Sequence, residues 1–331
     1  MRDASDFSSI LSTHLITGDN MIIFMTTFER ILVLFFFILA GFSLIKLKVL
    51  PKNSAEVLSK LENNLFIPAL VFSTFASDFT VSKISSAWKL FLLSSVICAL
   101  TILFARICVR FISRDQFTRN IYTYGLVFSN FGFMGNVIVS AVFPEIFLEY
   151  LIFTLPLWTM IYVWGVPCLL IPRGEGNIRN RLRFFVNPMF VCMLLGMIIG
   201  LFNIKLPEFI SVSVDTLGSC MSPISMILTG VIVAGINIRK VIKDPSIYVV
   251  CAIRLLLLPL LGLIIFSFIK VPSVYVVCTV CALSMPLGLN IMVIPSGYGK
   301  DTSLAAASII ISHLISGITI PLIFMIMMQM V

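Results

Sequence analysis

Residues 284–292 read "SMPLGLNIM" and lie inside an apolar run covering 274–294. The run is long enough for a membrane helix, yet Pro286, Gly288 and Asn290 stand near its middle. A proline there removes a main-chain hydrogen bond and clashes with the preceding turn, and each polar group stranded in hydrocarbon costs several kcal/mol. A span that breaks itself at its centre must have a use for the break.

The surrounding sequence confirms that lipid is the solvent. Of 331 residues, 59% are hydrophobic and only 11% charged, and the mean hydropathy is +1.10; a soluble domain carries about a quarter charged residues. The expected fold class is an all-α integral membrane protein. Its eight cysteines are scattered singly through apolar runs. The one close pair, Cys278 and Cys281, has no second pair or histidine nearby to make a metal site. Neither a metal nor a cofactor is expected. Residues 1–21 lack the basic start and continuous apolar core of a signal peptide and read as a polar N-terminal extension, with Met21 an alternative start.

A bilayer core about 30 Å thick takes about 20 helical residues to cross. Ten apolar segments of that size follow one another, at 22–45, 62–80, 86–111, 120–142, 147–171, 184–203, 209–235, 246–269, 274–298 and 302–328. The breaks after segments one, three, five, seven and nine hold sixteen of the twenty-three lysines and arginines, among them Arg106, Arg110, Arg119 and Lys300. By the positive-inside rule those breaks are cytoplasmic and both termini lie outside. The net charge of +8 is therefore a topology signal rather than a nucleic-acid patch.

An internal repeat runs through these segments. "KVLP" ending at Pro51 is echoed by "IKLP" ending at Pro207, "LFIPAL" around Pro68 by "CMSPIS" around Pro223, and "WGVP" ending at Pro167 by "ITIP" ending at Pro321, at offsets of 156, 155 and 154. Two five-span halves are expected, 22–172 and 184–331, joined by a cytoplasmic linker at 173–183. Five is odd, so the second half is inverted in the membrane, an arrangement many secondary transporters share.

The same offset carries the break in segment nine onto 129–136 in segment four, "SNFGFMGN", with Ser129, Asn130, Gly132, Gly135 and Asn136 inside an apolar helix. Matching interruptions in the two halves are the best sequence-level pointer to a transporter binding site. They leave half-helix amino termini with free N–H groups near the midplane. Asn130, Gly132, Gly135, Asn136, Pro286, Gly288 and Asn290 are the candidate substrate-binding residues. The alternative for the asparagines is helix-to-helix hydrogen bonding, about 0.6 kcal/mol each on average.

At these residues the chain resembles the auxin efflux carrier family, which includes plant PIN-FORMED carriers and bacterial carriers described as malate or malonate transporters. The resemblance rests on 41–77, on "SNFGFMGN" and on 285–323, and extends over nearly the whole chain from Phe28. It implies a bile-acid-symporter-like fold with spans four and nine unwound and crossing. It further implies a core of spans three to five and eight to ten moving against a scaffold of spans one, two, six and seven, and a homodimer through that scaffold. Asn130 matches the family's crossover asparagine and Pro286 its proline in span nine. Plant members have proline where this chain has Ser129, so the break in span four is expected to depend on Gly132 and Gly135.

The amides of Asn130, Asn136 and Asn290, with the half-helix N–H groups, suit a small organic anion such as a mono- or dicarboxylate. No carboxylate is expected at the midplane, and Glu62 reads as the inner end of its span, which argues against sodium/proton exchange. Membrane potential would suffice for export: expelling a monovalent anion gains about 2.3 kcal/mol per 100 mV, roughly fifty-fold accumulation. Arg254 lies about 13 Å into segment eight, a costly depth and so a functional candidate. Its structural alternative is to snorkel or to cap carbonyls freed by the breaks. His313, in a stripe with Ser308, Ser312 and Ser316, either relays protons or packs between helices. Pro68 and Pro223 kink spans two and seven and are candidates to line the pathway. No Ser/His, paired-Asp or zinc constellation suggests an enzyme. A transport-inactive receptor or channel of the same fold, or a cation-coupled symporter, are the competing readings.

Overall fold

The computed structural model describes residues 19–51, 53–86, 88–171, 188–235, 243–269 and 271–331. Nearly all of the 1–21 extension, the linker 173–183 and the basic residues Lys52, Arg239, Lys240 and Lys270 lie outside the described residues. Every described element is helical: α1 (Asp19–Lys46), α2 (54–78), α3 (Val81–Ser86), α4 (Trp88–Ile112), α5 (Gln116–Val127), α6 (131–142), α7 (Pro144–Leu170), α8 (Pro188–Leu201), α9 (Glu208–Gly235), α10 (Pro245–Phe268), α11 (Ser273–Ser284), α12 (Asn290–Gly297) and α13 (Ser303–Met328). Five of them, α4, α7, α9, α10 and α13, are long and apolar enough to cross a membrane. Large apolar side chains such as Phe111 and Phe268 face outward, as a lipid solvent favours.

Prolines shape several of these helices. α2 widens into a π-helical turn at Glu62–Phe66 ahead of Pro68, α7 at Ile161–Leu170 around Pro167, and α10 at Ile253–Leu257 ahead of Pro259. Proline has no N–H and presses on the carbonyl four residues back, and a π turn absorbs that mismatch without ending the helix.

The duplication read from the prolines is present in the hydrogen bonds. α1 ends with Leu47, Lys48 and Val49 donating to Ser43 (2.8 Å), Ile45 (3.0 Å) and Leu44 (2.9 Å). α8 ends with Phe202, Asn203 and Ile204 donating to Ile198 (3.1 Å), Gly200 (3.2 Å) and Ile199 (3.0 Å). Both closures place a residue in the left-handed region, Lys48 at φ 59° and Asn203 at φ 49°, and both have the 6→1 and 5→2 bonds of a Schellman cap. Each residue of the first cap lies 155 positions before its counterpart in the second.

Packing repeats in the same way. A Cβ on Gly41 of α1 would sit 2.0 Å from the Ile227 carbonyl oxygen of α9, and one on Gly196 of α8 would sit 2.7 Å from the Phe72 carbonyl oxygen of α2. Shifting by 155 carries Gly41 onto Gly196 and Phe72 onto Ile227, so the two contacts exchange under the repeat. Small residues let helix backbones touch where no hydrophobic force between helices exists in lipid. α1 is thereby tied to the second half of α9, and α8 to the second half of α2.

Candidate functional site

Both interruptions are real, and they meet. α5 ends at Val127 and the chain is extended through Phe128 and Ser129 before α6 begins; α11 ends at Ser284 and Met285 is extended before α12 begins. Ser129 and Leu287 form an antiparallel bridge, and the Asn130 N–H donates to the Pro286 carbonyl at 2.8 Å. The Ser129 hydroxyl donates to the Ala282 carbonyl at 2.8 Å, and the Leu287 N–H to the Ser312 hydroxyl at 3.3 Å. Main-chain groups released by the breaks are thus taken up partly by the other break and partly by side chains, as a backbone remote from water demands.

The break in span four does not depend on Gly132 and Gly135 as expected. It lies at 128–130, and the two glycines sit in the π-helical turn Phe131–Gly135 that follows. Their service is close approach. A Cβ on Gly132 would fall 2.1 Å from the Trp158 ring, and one on Gly135 2.3 Å from the Tyr150 hydroxyl, which itself donates to the Phe131 carbonyl at 3.1 Å. Gly288 likewise admits the Phe128 carbonyl, 2.7 Å from where its Cβ would be.

Arg254 takes the capping role. It is 1% exposed and donates from Nε to the Met285 carbonyl (3.1 Å), from Nη1 to Leu126 (2.9 Å) and from Nη2 to Ala282 (2.8 Å). Leu126 and Ala282 belong to the last turns of α5 and α11, so one guanidinium serves the negative ends of both half-helices. The tripod was not legible in sequence, because its acceptors are carbonyls far along the chain.

Neighbouring rings orient the two asparagines. His313 Nδ1 lies 2.8 Å from the Ile309 carbonyl, so it carries the proton in a neutral ring, and Nε2 accepts from Asn130 Nδ2 at 3.1 Å. Asn290 Nδ2 donates to the Tyr124 hydroxyl at 2.8 Å. Each amide thus gives one of its two N–H donors to protein, and each carbonyl oxygen, Oδ1 of Asn130 and Oδ1 of Asn290, is buried without a partner. Oδ1 of Asn136 is also unpartnered, but Asn136 and Gly135 lie one turn beyond the crossover.

Asn130, Gly132, Gly288 and Asn290 line a void of about 10 Å³, with Tyr124 and Trp158 among its walls. That is room for about one water. Tyr124 and Trp158 were missed as site residues, and only its seat against Gly132 brings Trp158 to the meeting of the breaks. Pro68 and Pro223 do not line this void. A wider cavity of about 750 Å³ is lined by Thr123, Arg106, Arg110, Arg119 and Lys300, with Asp115 the one acidic side chain in its wall among the described residues. Asp115 caps α5 by accepting from the Thr118 N–H at 2.8 Å, and that bond holds its carboxyl below the usual range. Glu62, expected at the end of its span, is instead wholly buried, because α2 begins at Ser54, two turns earlier.

The family model described as membrane transport protein matches the chain twice, over residues 26–181 and 177–324. The chain belongs to that family. It is the auxin efflux carrier and PIN-like family, and the two matches coincide with the repeated caps and glycine contacts. A membrane transport protein with this many apolar helices is a multi-pass membrane protein. No curated protein matches closely enough to stand as a relative.

Proposed function

We propose that the chain is a secondary carrier for small organic anions with ten spans, arranged as two inverted five-span repeats, 22–172 and 184–331, around the linker 173–183. Spans four (α5 and α6) and nine (α11 and α12) cross at the substrate site, and α1, α2, α8 and α9 form a scaffold through which two copies pair. Transport proceeds by alternating access across the plasma membrane, with the basic ends cytoplasmic and both termini outside. The observation that supports this reading most is the main-chain pairing of the two breaks, Asn130 to Pro286.

The chemistry of the site narrows the substrate class. The first N–H groups of α6 and the turn at Gly288 leading into α12 offer donors to a carboxylate. The unpartnered oxygens of Asn130 and Asn290 favour a substrate that also brings a donor, so a hydroxy acid or an acid bearing an N–H suits the site better than an unsubstituted dicarboxylate. Arg106, Arg110, Arg119 and Lys300 raise the local concentration of anions in the wide cavity. The small void makes the present conformation closed at the crossover, and Trp158 against Gly132 is the contact that must part.

Uptake of labelled carboxylates into proteoliposomes tests the assignment. Saturable uptake by the wild type, lost in Asn130→Ala and Asn290→Ala while both variants stay folded, is the expected result. Wild-type uptake in both variants removes the crossover from the pathway; uptake of no carboxylate turns the reading toward a receptor or another solute.

A further inference from the structure

Glu62 sits in the π-helical turn Glu62–Phe66 of α2 and is 0% exposed. One carboxyl oxygen, Oε1, accepts from the Ser225 hydroxyl of α9 at 2.8 Å, and the other, Oε2, is buried with no partner. Two further buried oxygens of the same face, Ser59 Oγ and Asn63 Oδ1, also lack partners. Among the described residues no basic side chain pairs with Glu62. On its own helix, Glu56 and Lys60 pair with each other on the exposed face at 2.6 Å. Of the elements packed on this turn, α8 brings only Cys192, α9 only Glu208, Asp215 and Cys220, and α12 nothing titratable before Tyr298 just past its end.

A buried carboxylate with one hydroxyl donor is a costly arrangement. Adding a proton to Oε2 removes the charge and converts an orphan acceptor into a donor, beside an orphan acceptor, Asn63 Oδ1, and a hydroxyl, Ser59 Oγ, that can accept as well as donate. The turn also touches the broken span. Asn63 Nδ2 donates to the Val293 carbonyl at 3.4 Å, and a Cβ on Gly297 would lie 2.4 Å from that same nitrogen. Val293 and Gly297 belong to α12, whose first residue, Asn290, lines the crossover void about 10 Å away along the helix axis.

We propose that the Glu62 carboxyl, with Ser225, Ser59 and Asn63 around it, is a proton-binding site whose occupancy is linked through α12 to the crossover. A rigid helix touching both places is the physical element that lets a proton at one bias the other. Gain of the proton relieves the buried charge and favours the packed arrangement of α2, α9 and α12; its loss favours separation of α12 from α2. The link to transport rests on the carrier reading; the binding of the proton does not.

The test is thermal unfolding of the purified full chain in detergent, wild type against Glu62→Gln, from about pH 5 to about pH 8 at constant ionic strength. A proton held in the folded state and lost earlier from the unfolded one makes stability fall as pH rises through this window. The two proteins are expected to unfold together at the acid end, with Glu62→Gln several degrees more stable at the alkaline end. Parallel curves would overturn the proposal. Should Glu62→Gln fail to fold, Ser225→Ala decides: loss of the one donor to the carboxylate extends the fall to higher pH, and an unchanged profile counts against the site. Replacing K+ by Na+ should leave the midpoints unmoved, and stabilisation by Na+ that depends on Glu62 would mean a metal cation instead. No substrate enters these measurements, so they stand even where the proteoliposomes carry no carboxylate.

Discussion

The α1–α9 and α8–α2 contacts and the meeting of the two breaks belong to the same duplication, and they have diverged to different degrees. At α1–α9 and α8–α2 the repeat keeps the cap and one close glycine contact, Gly41 matched by Gly196, although Gly230 of α9 and Gly200 of α8, which also touch backbone, have Phe75 and Ile45 at the positions 155 before them. Where the two breaks meet the match is looser: the hydrogen bond from Asn130 to Pro286 has no counterpart from Met285 to Phe131, and the side chains differ. Arg254 and His313 belong to the second half alone, and the residues 155 positions before them are Ala99 and Trp158. A packing surface between halves has to fit the same way twice; a binding site has to fit a substrate that lacks the symmetry. On the carrier reading, the loss of symmetry where the breaks meet marks the proposed substrate site.

The largest effect is expected at the asymmetric centre. Arg254→Ala leaves three buried carbonyls at two half-helix ends without their donor and should cost about 3–5 kcal/mol, read as loss of folded protein on size-exclusion chromatography. Arg254→Lys should recover only part of it, since an ammonium does not reproduce the planar fork. Full stability of the alanine variant would break the contrast between the two regions.

Next come the scaffold glycines. Gly41→Leu and Gly196→Leu should each destabilise by about 1–3 kcal/mol through overpacking, with Gly41 the worse because its neighbour is nearer. A large loss at one position and none at the other would deny the equivalence of the two contacts. Gly132→Ala pushes on Trp158 and should abolish uptake with a smaller loss of stability, which sharpens the distinction between packing glycines and crossover glycines. The smallest effect is at Asn290 and Tyr124: a double-mutant cycle of Asn290→Ala and Tyr124→Phe should give a coupling of about 1 kcal/mol in thermal unfolding.

Much of the architecture was legible because it depends on features that survive in one dimension. Proline spacing gave the 155-residue offset, and polar residues inside apolar runs gave both breaks. What escaped depends on three dimensions. α2 starts in the amphipathic stretch 54–61 rather than in the apolar run, so a hydropathy window put Glu62 at a helix end instead of inside the helix. Asn130 and Asn290 were read as amide donors, and the rings that take one N–H of each, His313 and Tyr124, come from α13 and α5. Gly132 was read as making the break, whereas Trp158 decides what it does.

The most direct test of the central claim is thermal stabilisation of the purified protein by a panel of carboxylates, with hydroxy acids and N–H-bearing acids set against unsubstituted ones, repeated in Asn130→Ala. A ligand of the folded state raises the midpoint by mass action. The account predicts that a carboxylate bearing a donor stabilises the wild type and leaves Asn130→Ala unmoved. Equal stabilisation of both proteins, or of neither by any acid in the panel, would contradict it.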